Sequence, residues 1–454
     1  MTPKRKNVRF FATAAAAQIA GLRACKRCRP DATPGSPDWN IRADAVARAM
    51  RLITDGVVDR EGVPGLARAV GYSERHLNRL MTEELGAGPI AIARAQRAQN
   101  ARTLLESTDL SITRLAYAAG FSSTRQFNDT IREVYATTPT ELRRASQRHQ
   151  VAEPGRLTLR LAFRPPFAAR TMLDFFAARA IAGVEHVTER QYARTLRLPH
   201  GNGRVVVEPS DDHLVAIVEL DDISDLAPTV RRLRDTFDLD ADPEATDRAL
   251  RRDPALRAAI RRTPGLRVPG TPDPTELVVR AVLGQQVSVA GARTLAGRLA
   301  RELGTPSRPA RTAHHENFDA NLEYVFPDAA TIAASSLDMI GMPTARKSSL
   351  RAVCDALANG VIDLGPAADR AKTRTRLIAI KGIGPWTADY IAMRALRDPD
   401  AFLPTDLGVR HGCVALGVSD DTKQIASRAE AWRPWRSYAL MHLWNQPDPS
   451  EDSS

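Results

Sequence analysis

The sequence predicts a multidomain, mainly α-helical protein that carries one small α+β domain built on an antiparallel sheet. Three observations support this. The 454-residue chain is long enough for two to four domains with sizeable cores. Apolar residues recur at three- and four-residue intervals over 39–147 and again from Asp242 onward, which is the helical period. Between those stretches, residues 156–240 alternate or run apolar in strand-length segments. A composition of 43% hydrophobic and 26% charged residues excludes wholesale disorder. No run approaches the ~18 apolar residues of a membrane span, so no membrane partner is expected. Four cysteines cannot frame a chain of this length with disulfides, and the expected location is the cytoplasm.

Charge divides unevenly. Residues 1–150 hold 24 Lys/Arg against 14 Asp/Glu, whereas residues 151–454 hold 40 against 39. The basic surplus of the first third can attract a polyanion, and nucleic acid is the expected partner. Only seven of the basic residues are lysine. Arginine suits bidentate phosphate and guanine contacts, although a G+C-rich genome would give the same bias.

The first segment, 1–38, opens with Lys4, Arg5 and Lys6 before FFATAAAAQIAG. Gln18 breaks the apolar part and no cleavage site follows, so a short amphipathic helix is expected rather than a signal peptide. Cys25 and Cys28 then stand in C-x-x-C spacing, which reads as metal or redox chemistry. A structural zinc takes four ligands. No other Cys precedes Cys354 and no His precedes His76, so only half a metal site is evident. Residues 7–39 resemble the end of the Ada-type methyl-accepting zinc domain. In that family an upstream Cys pair completes the zinc site, and one Cys takes a methyl group from an alkylated DNA phosphate. The resemblance therefore implies that this chain, which begins in mid-domain, performs no methyl transfer as written. A start codon further upstream would account for the truncation.

Residues 39–147 carry one design twice. Leu66-Ala67 leads through Val70-Gly71-Tyr72 to Ser73, and Leu115-Ala116 leads through Ala119-Gly120-Phe121 to Ser122. Gly71 and Gly120 end a helix in a left-handed turn, Ser73 and Ser122 are expected to cap the next, and Tyr72 and Phe121 are expected to plug each turn into the core. The long helix 90–108 lies between. A single such turn would read as part of a ligand-free helical bundle, but the repetition at a 49-residue separation and the local charge favour two helix-turn-helix units. Residues 115–144 resemble the C-terminal signature of AraC/XylS-type regulators. That resemblance implies that Glu74, Arg75 and Asn78 in one helix, and Ser123, Thr124, Arg125 and Asn128 in the other, face base edges, with promoter DNA as the partner.

Over 156–240 the expected strands are Arg156–Phe163, Gln191–Leu198, Arg204–Glu208 and His213–Leu220, with HGNG (200–203) as a hairpin turn and helices at 168–181 and 224–237. This domain is expected to be structural.

The last domain, 241–448, holds LIAIKGIGPWTADYIAMRAL (377–396). Gly382 and Gly384 permit torsions other residues avoid, and Pro385 can open the next helix. The N–H groups around Gly382, Ile383 and Gly384 would then form a nest for one DNA phosphate. A lone GxG is also a plain helical corner, but RDPDAFLPTD follows and places Asp406 22 residues after Gly384. This is the spacing of the helix-hairpin-helix DNA glycosylases, whose catalytic aspartate follows a Gly/Pro-rich loop. GIGPWTADYIAMRAL, AFLPTD, VRAVLGQQVSVAGA and WRPWRSYALMHLW resemble AlkA-type DNA-3-methyladenine glycosylase II over about 156–446.

The resemblance implies an all-α helix-hairpin-helix glycosylase domain that acts on double-stranded DNA containing alkylated bases, as a monomer. An alkylated purine leaves readily as a neutral base, and the remaining difficulty is the positive charge that builds on the sugar. Asp406 can stabilise that charge and orient water, while its other role would be a helix cap in competition with Thr405. Trp386 and Tyr390, four apart on one helix face, and Trp444 are the expected base pocket, reached by flipping the base out. Trp432 and Trp435 are expected in the core. Gln286 occupies the duplex-wedge position, where the family usually has an apolar residue. Relatives that also cut the backbone carry a lysine just after the hairpin, where this chain has Trp386, and Lys381 precedes the hairpin. A monofunctional hydrolase is therefore expected. No cofactor is expected for catalysis, since Cys354 and Cys413 cannot make an iron–sulfur cluster. A monovalent cation on the carbonyls of Ile378, Ile380 and Ile383 is implied by the family alone. The alternative function is a regulator of the adaptive response to alkylation with a secondary glycosylase half.

Overall fold

A computed structural model of the chain describes residues 9, 11, 13–22, 45–108, 110–146, 156–307, 322–366 and 368–447. It divides into two compact units, Met1–Val151 and Ala152–Ser454. Among the described residues no helix is long and apolar enough to cross a membrane.

Among the described residues of the first unit all regular elements are helices: α1 (Ala14–Ile19), α2 (Ala45–Thr54), α3 (Val57–Val70), α4 (Glu74–Leu85), α5 (Pro89–Ser107), α6 (Ile112–Ala118), α7 (Thr124–Tyr135) and α8 (Pro139–Ser146). α2 packs on α3, α3 on α4, α6 on α7 and α7 on α8, and α5 runs through the middle with α1 to α4 and α6 to α8 packed around it. A helix covered on all sides needs no single apolar stripe, and Ile92, Ala98, Ala101 and Leu105 are buried on different flanks of α5. Thr13 caps α1 and its hydroxyl donates to the carbonyl of Leu85 at 3.1 Å, which docks α1 on the end of α4.

Both turns end in a left-handed glycine, Gly71 and Gly120. Ser73 caps α4 by accepting from the His76 N–H. The second cap is Ser123, not Ser122, because the Ser123 side chain accepts from the Gln126 backbone N–H while Ser122 gives its N–H and hydroxyl to the Gln126 side-chain Oε1. Phe121 is buried against Phe127 as expected. Tyr72 is not in the core. It is 43% exposed and stacks on His76 at 5.0 Å, because that neighbour offers its ring a face at the surface.

The second unit opens on a sheet with β1 (Leu157–Ala162), β2 (Glu185–Val187), β3 (Tyr192–Arg197), β4 (Asn202–Pro209) and β5 (His213–Leu220), in the order β1-β5-β4-β3-β2 and antiparallel throughout. The short β2 shows no alternation over its three residues, so periodicity could not reveal it. The turn sits one or two residues earlier than HGNG, with Asn202 and Gly203 already paired to Arg197 and Leu196. α9 (Ala169–Ala177) and α10 (Leu226–Thr236) accompany the sheet.

The remaining helices are α11 (Pro243–Leu250), α12 (Pro254–Arg262), α13 (Pro274–Leu283), α14 (Val289–Leu303), α15 (Ala329–Ala334), α16 (Thr344–Ala358), α17 (Arg370–Ile378), α18 (Pro385–Arg394), α19 (Leu407–Ala415), α20 (Thr422–Ala429) and α21 (Arg436–Trp444). α11, α12 and α13 share one start, an Asp cap followed by Pro, which satisfies an orphan N–H and fixes the first torsion.

A buried charge network ties the sheet to α13. Glu185 accepts from the hydroxyl of Tyr192 at 2.8 Å, Arg194 at 3.2 Å and Arg280 at 2.8 Å, and Glu276 accepts from Arg194 at 2.6 Å and Arg280 at 2.9 Å. Burial would raise the Glu185 carboxyl, but Arg280 and Arg194 outweigh it and hold it down at about 2. Arg280 also donates to the carbonyl of Arg179, just beyond α9. The sheet domain and the helical domain are thus one packed body, and α9 is held against the helices that follow.

Candidate active site and nucleic-acid interface

The hairpin forms between α17 and α18. Gly382 adopts φ 93°, and a Cβ there would meet the Ser349 hydroxyl at 2.2 Å. That hydroxyl donates to the Lys381 carbonyl at 2.6 Å and so fixes the turn from α16. Gly384 is the cap residue of α18, with no side chain on its first N–H groups and Pro385 at the start of the helix. The turn spends the Ile383 N–H on the carbonyl of Ile380, which narrows the expected nest. The same bond engages one of the three carbonyls considered for a cation.

Asp406 stands at the cap of α19, and Thr405 does not compete with it. Oδ1 accepts from the Val409 N–H at 3.0 Å and from the Trp444 indole at 2.7 Å, while Oδ2 accepts from the Trp386 indole at 3.0 Å. Cap and functional candidate are one residue. The indole of Trp444 reaches the carboxylate because Gly408 and Gly412 thin one face of α19. A Cβ at Gly408 would lie 2.9 Å from the Trp444 ring, and one at Gly412 would lie 2.2 Å from the Leu443 carbonyl. The result is a half-buried carboxylate held by three N–H donors, two of them indoles.

Trp386 and Tyr390 share a helix face and stack at 5.3 Å with an interplanar angle of 6°. Trp444 lies 6.5 Å from Tyr390 and stacks on Phe175 at 6.2 Å. Phe175 belongs to α9, in the domain read from sequence as structural, and it completes the aromatic cluster. Two guanidiniums accompany it. Arg179 lies 3.8 Å from the Phe175 ring centre and Arg394 lies 4.8 Å from it. Arg394 also donates to the Tyr390 hydroxyl at 2.6 Å. Burial would raise the Tyr390 phenol, but Arg394 and Arg179 outweigh it and lower it. The signal in the sequence was the four-residue spacing of Phe175 and Arg179, which lets the turn after α9 carry the cation back over the ring.

Gln286 is exposed, in the turn between α13 and α14, at φ 56°, a left-handed conformation that costs a residue with a side chain. Arg346 donates to its side chain at 3.3 Å. Its neighbour Gln285 donates to the Gly382 carbonyl at 2.9 Å and the Thr387 hydroxyl at 3.1 Å, so turn and hairpin are braced together. Trp432 and Trp435 are buried, as expected.

In the first unit Glu74, Arg75 and Asn78 line a groove of about 680 Å³ with Ala15, Ile19 and Ile90. Arg125 is open to solvent, 94% exposed and 3.9 Å from Asp129. Thr124 and Asn128 are half-buried near it, and Ser123 commits its oxygen to the cap.

Cys25 and Cys28 lie outside the described residues. Among the described residues no cluster of three or more His, Cys, Asp or Glu could hold a metal. Two thiolates do not fit a zinc that takes four ligands. Cys354 and Cys413 are buried, which pushes their thiols up to about 12 and about 11, away from the reactive thiolate.

Comparison with known proteins places the chain among its relatives. Residues 158–273 match the AlkA N-terminal domain, 66–145 a helix-turn-helix domain and 1–31 the metal binding domain of Ada. The chain is 49% identical over 445 residues to a probable bifunctional transcriptional activator/DNA repair enzyme AlkA of Mycobacterium tuberculosis, covering 97% of this chain and 88% of the relative. It is 35% identical to DNA-3-methyladenine glycosylase 2 of Escherichia coli, covering 63% of this chain and 98% of the relative. A 3-methyladenine DNA glycosylase structure from Archaeoglobus fulgidus superimposes with a TM-score of 0.53 at 20% identity, over 63% of this chain and 96% of that one.

Proposed function

Since the chain belongs to the AlkA family of DNA-repair glycosylases, in the form fused to a helix-turn-helix regulator domain, we propose that it hydrolyses the N-glycosidic bond of alkylated purines, with Asp406 as the stabilising anion. Glycosylases of this family act without a cofactor. The observation that carries the residue assignment is the triple N–H grip on Asp406, from Val409, Trp386 and Trp444, which fixes a carboxylate at the edge of an aromatic cluster. A fixed negative charge opposes the positive charge that grows on the sugar as the base departs, and it costs no reorganisation when the bond breaks. The flipped base would meet Trp386, Tyr390 and Trp444. Gln286 would fill the gap it leaves, and the Gly382–Gly384 hairpin would hold a neighbouring phosphate.

Trp386 stands where a Schiff-base lysine would be needed to cut the backbone, which supports water as the nucleophile. The test is excision from methylated duplex DNA. Asp406→Asn should keep binding abasic-site DNA while losing 3-methyladenine release by about a hundredfold or more. Undiminished release would remove Asp406 from the role. The wild-type product should be an intact abasic strand, cut only by hot alkali. A borohydride-trapped protein–DNA adduct would overturn the monofunctional reading.

A further inference from the structure

A dense run of exposed basic charge lies on α12 and the turn that precedes it. Residues 248–262 hold six arginines and one acidic residue, whereas all of 151–454 holds 40 Lys/Arg against 39 Asp/Glu, so the rest of that stretch is net acidic. Arg248, Arg251, Arg252, Arg257, Arg261 and Arg262 are all exposed. The one acid among them is committed elsewhere. Asp253 caps α12 and accepts from Arg428 at 2.8 Å and from the Trp432 indole at 2.7 Å. Among the described residues the six arginines make a single ion pair, a loose one of 3.8 Å from Arg251 to buried Asp247. A solvated protein face normally intersperses both signs of charge, and this one does not.

The side chains are also held in place. Arg257 gives Nε to the Arg251 carbonyl at 3.0 Å, and Arg261 gives Nε to the Arg257 carbonyl at 3.3 Å. Each guanidinium is thus fixed by its inner nitrogen, and the terminal pair is the fork that takes a phosphate. The helix dipole favours Arg261 and Arg262 in the last turn of α12 but not Arg257 at mid-helix. Like charges four apart, as Arg257 and Arg261 are, weaken a helix. Helix stability alone does not account for the row.

The row adjoins the site. α12 packs against α21, and where the two helices end Asn445 donates to the Thr263 hydroxyl at 3.0 Å and Arg262 donates to the Gln446 side chain. Asn445 follows Trp444, whose indole holds Asp406. The basic charge therefore begins beside the clamp on the aspartate and continues away from it along α12. A helix of nine residues is roughly 13 Å long, about four base pairs at ~3.4 Å each. A duplex whose damaged base lies at Asp406 would carry its flanking phosphates over this surface.

Resting on the function proposed above, we infer that Arg257 and Arg261, with their neighbours in the row, form a second phosphate-binding surface, apart from the hairpin, that holds the duplex on one side of the damaged base. The full-length protein is tested in single turnover on a long duplex with one 7-methylguanine, reading the maximal release rate and the half-saturating protein concentration. Arg257→Gln combined with Arg261→Gln should raise the half-saturating concentration about tenfold or more at low salt, with the maximal rate undiminished. The slope of its logarithm against the logarithm of salt should fall by about 2, one for each phosphate no longer neutralised. Arg257→Lys with Arg261→Lys, which keeps both charges, should restore most of the loss. In the wild type, uncharged methylphosphonate linkages on one flank should reproduce it, and the glutamine variant should lose nothing further on that duplex.

A half-saturating concentration and a slope that do not move would overturn the inference and leave the row to an acidic protein. A variant loss that adds in full to that of the methylphosphonates, whichever flank carries them, would also overturn it, since row and flank would then act independently. So would a lowered maximal rate at an unmoved half-saturating concentration, which is the mark of a merely structural role. Failure of the parent reading looks different, because the wild type would then release no base at all.

Discussion

The two units of this chain differ in how far they bury charge. The helix-turn-helix unit keeps pairs such as Arg125 with Asp129 and Arg79 with Glu83 at the surface and part-buries isolated pairs, Arg97 with Asp59 and Arg102 with Glu106. The glycosylase unit buries Glu185, Arg194, Glu276 and Arg280 in one network and walls its aromatic cluster with Arg179 and Arg394. Surface charge is available to a polyanion at any approach and is weakened by salt. Buried charge acts over a few ångströms on whatever enters, and salt screens it little. The first unit is built to find DNA, and the second to act on one base.

The largest difference should appear in stability. Glu185→Gln leaves two buried guanidiniums undercompensated and should destabilise the second unit by about 3–5 kcal/mol in urea unfolding. Asp129→Asn in the first unit should change stability by less than about 0.5 kcal/mol. Equal effects would erase the contrast.

Inside the first unit the two turns differ in the same way. Phe121→Ala should cost about 3 kcal/mol, since its ring is buried, whereas Tyr72→Ala should cost less than about 1 kcal/mol. Thermal unfolding of residues 1–150 distinguishes them.

Salt sharpens the comparison next. Residues 1–150 should lose about a hundredfold in duplex affinity between about 50 and 200 mM salt, because each neutralised phosphate releases counterions. Residues 151–454 should bind undamaged duplex more weakly, with a shallower slope. A slope as steep as that of 1–150 would assign the search to the wrong unit.

The smallest expected effect is on pH. Burial raises the Asp59 carboxyl to about 6 despite Arg97 and Arg60. A carboxyl whose folded value lies above its unfolded value of 3.8 binds its proton more tightly in the folded state. The first unit should therefore gain stability, roughly 1 kcal/mol after screening, as pH falls from 7 through 6 toward 4. Melting curves of Asp59→Asn should lack that gain.

The same contrast decides what could be read from sequence. In the first unit each turn, cap and reading helix lies within some twenty residues, so local spacing revealed both repeats. The one-residue error at Ser122 and the misplaced Tyr72 arose because cap choice and ring direction depend on Gln126 and His76. The hairpin, Asp406 and the Trp386–Tyr390 face were legible for the same reason, with the residues close together and the spacing unusual. Phe175, Arg179 and Arg394 were not identified. Their role exists only because the Glu185–Arg280 network brings α9 to a helix two hundred residues later, and no local period encodes that approach. Gly408 and Gly412 read as ordinary helix residues, yet they set how near Trp444 comes to Asp406.

One amide carries a mechanical consequence. Gln285 holds the wedge turn to the hairpin by two hydrogen bonds, so the two loops behave as the jaws of a single calliper rather than as independent fingers. On the proposed reading, the distance between the pried-open step and the gripped phosphate is a fixed gauge. Load applied at one jaw is carried to the other, and a duplex of the wrong rise or twist cannot satisfy both. Cutting the brace with Gln285→Ala would leave each jaw intact and introduce play between them.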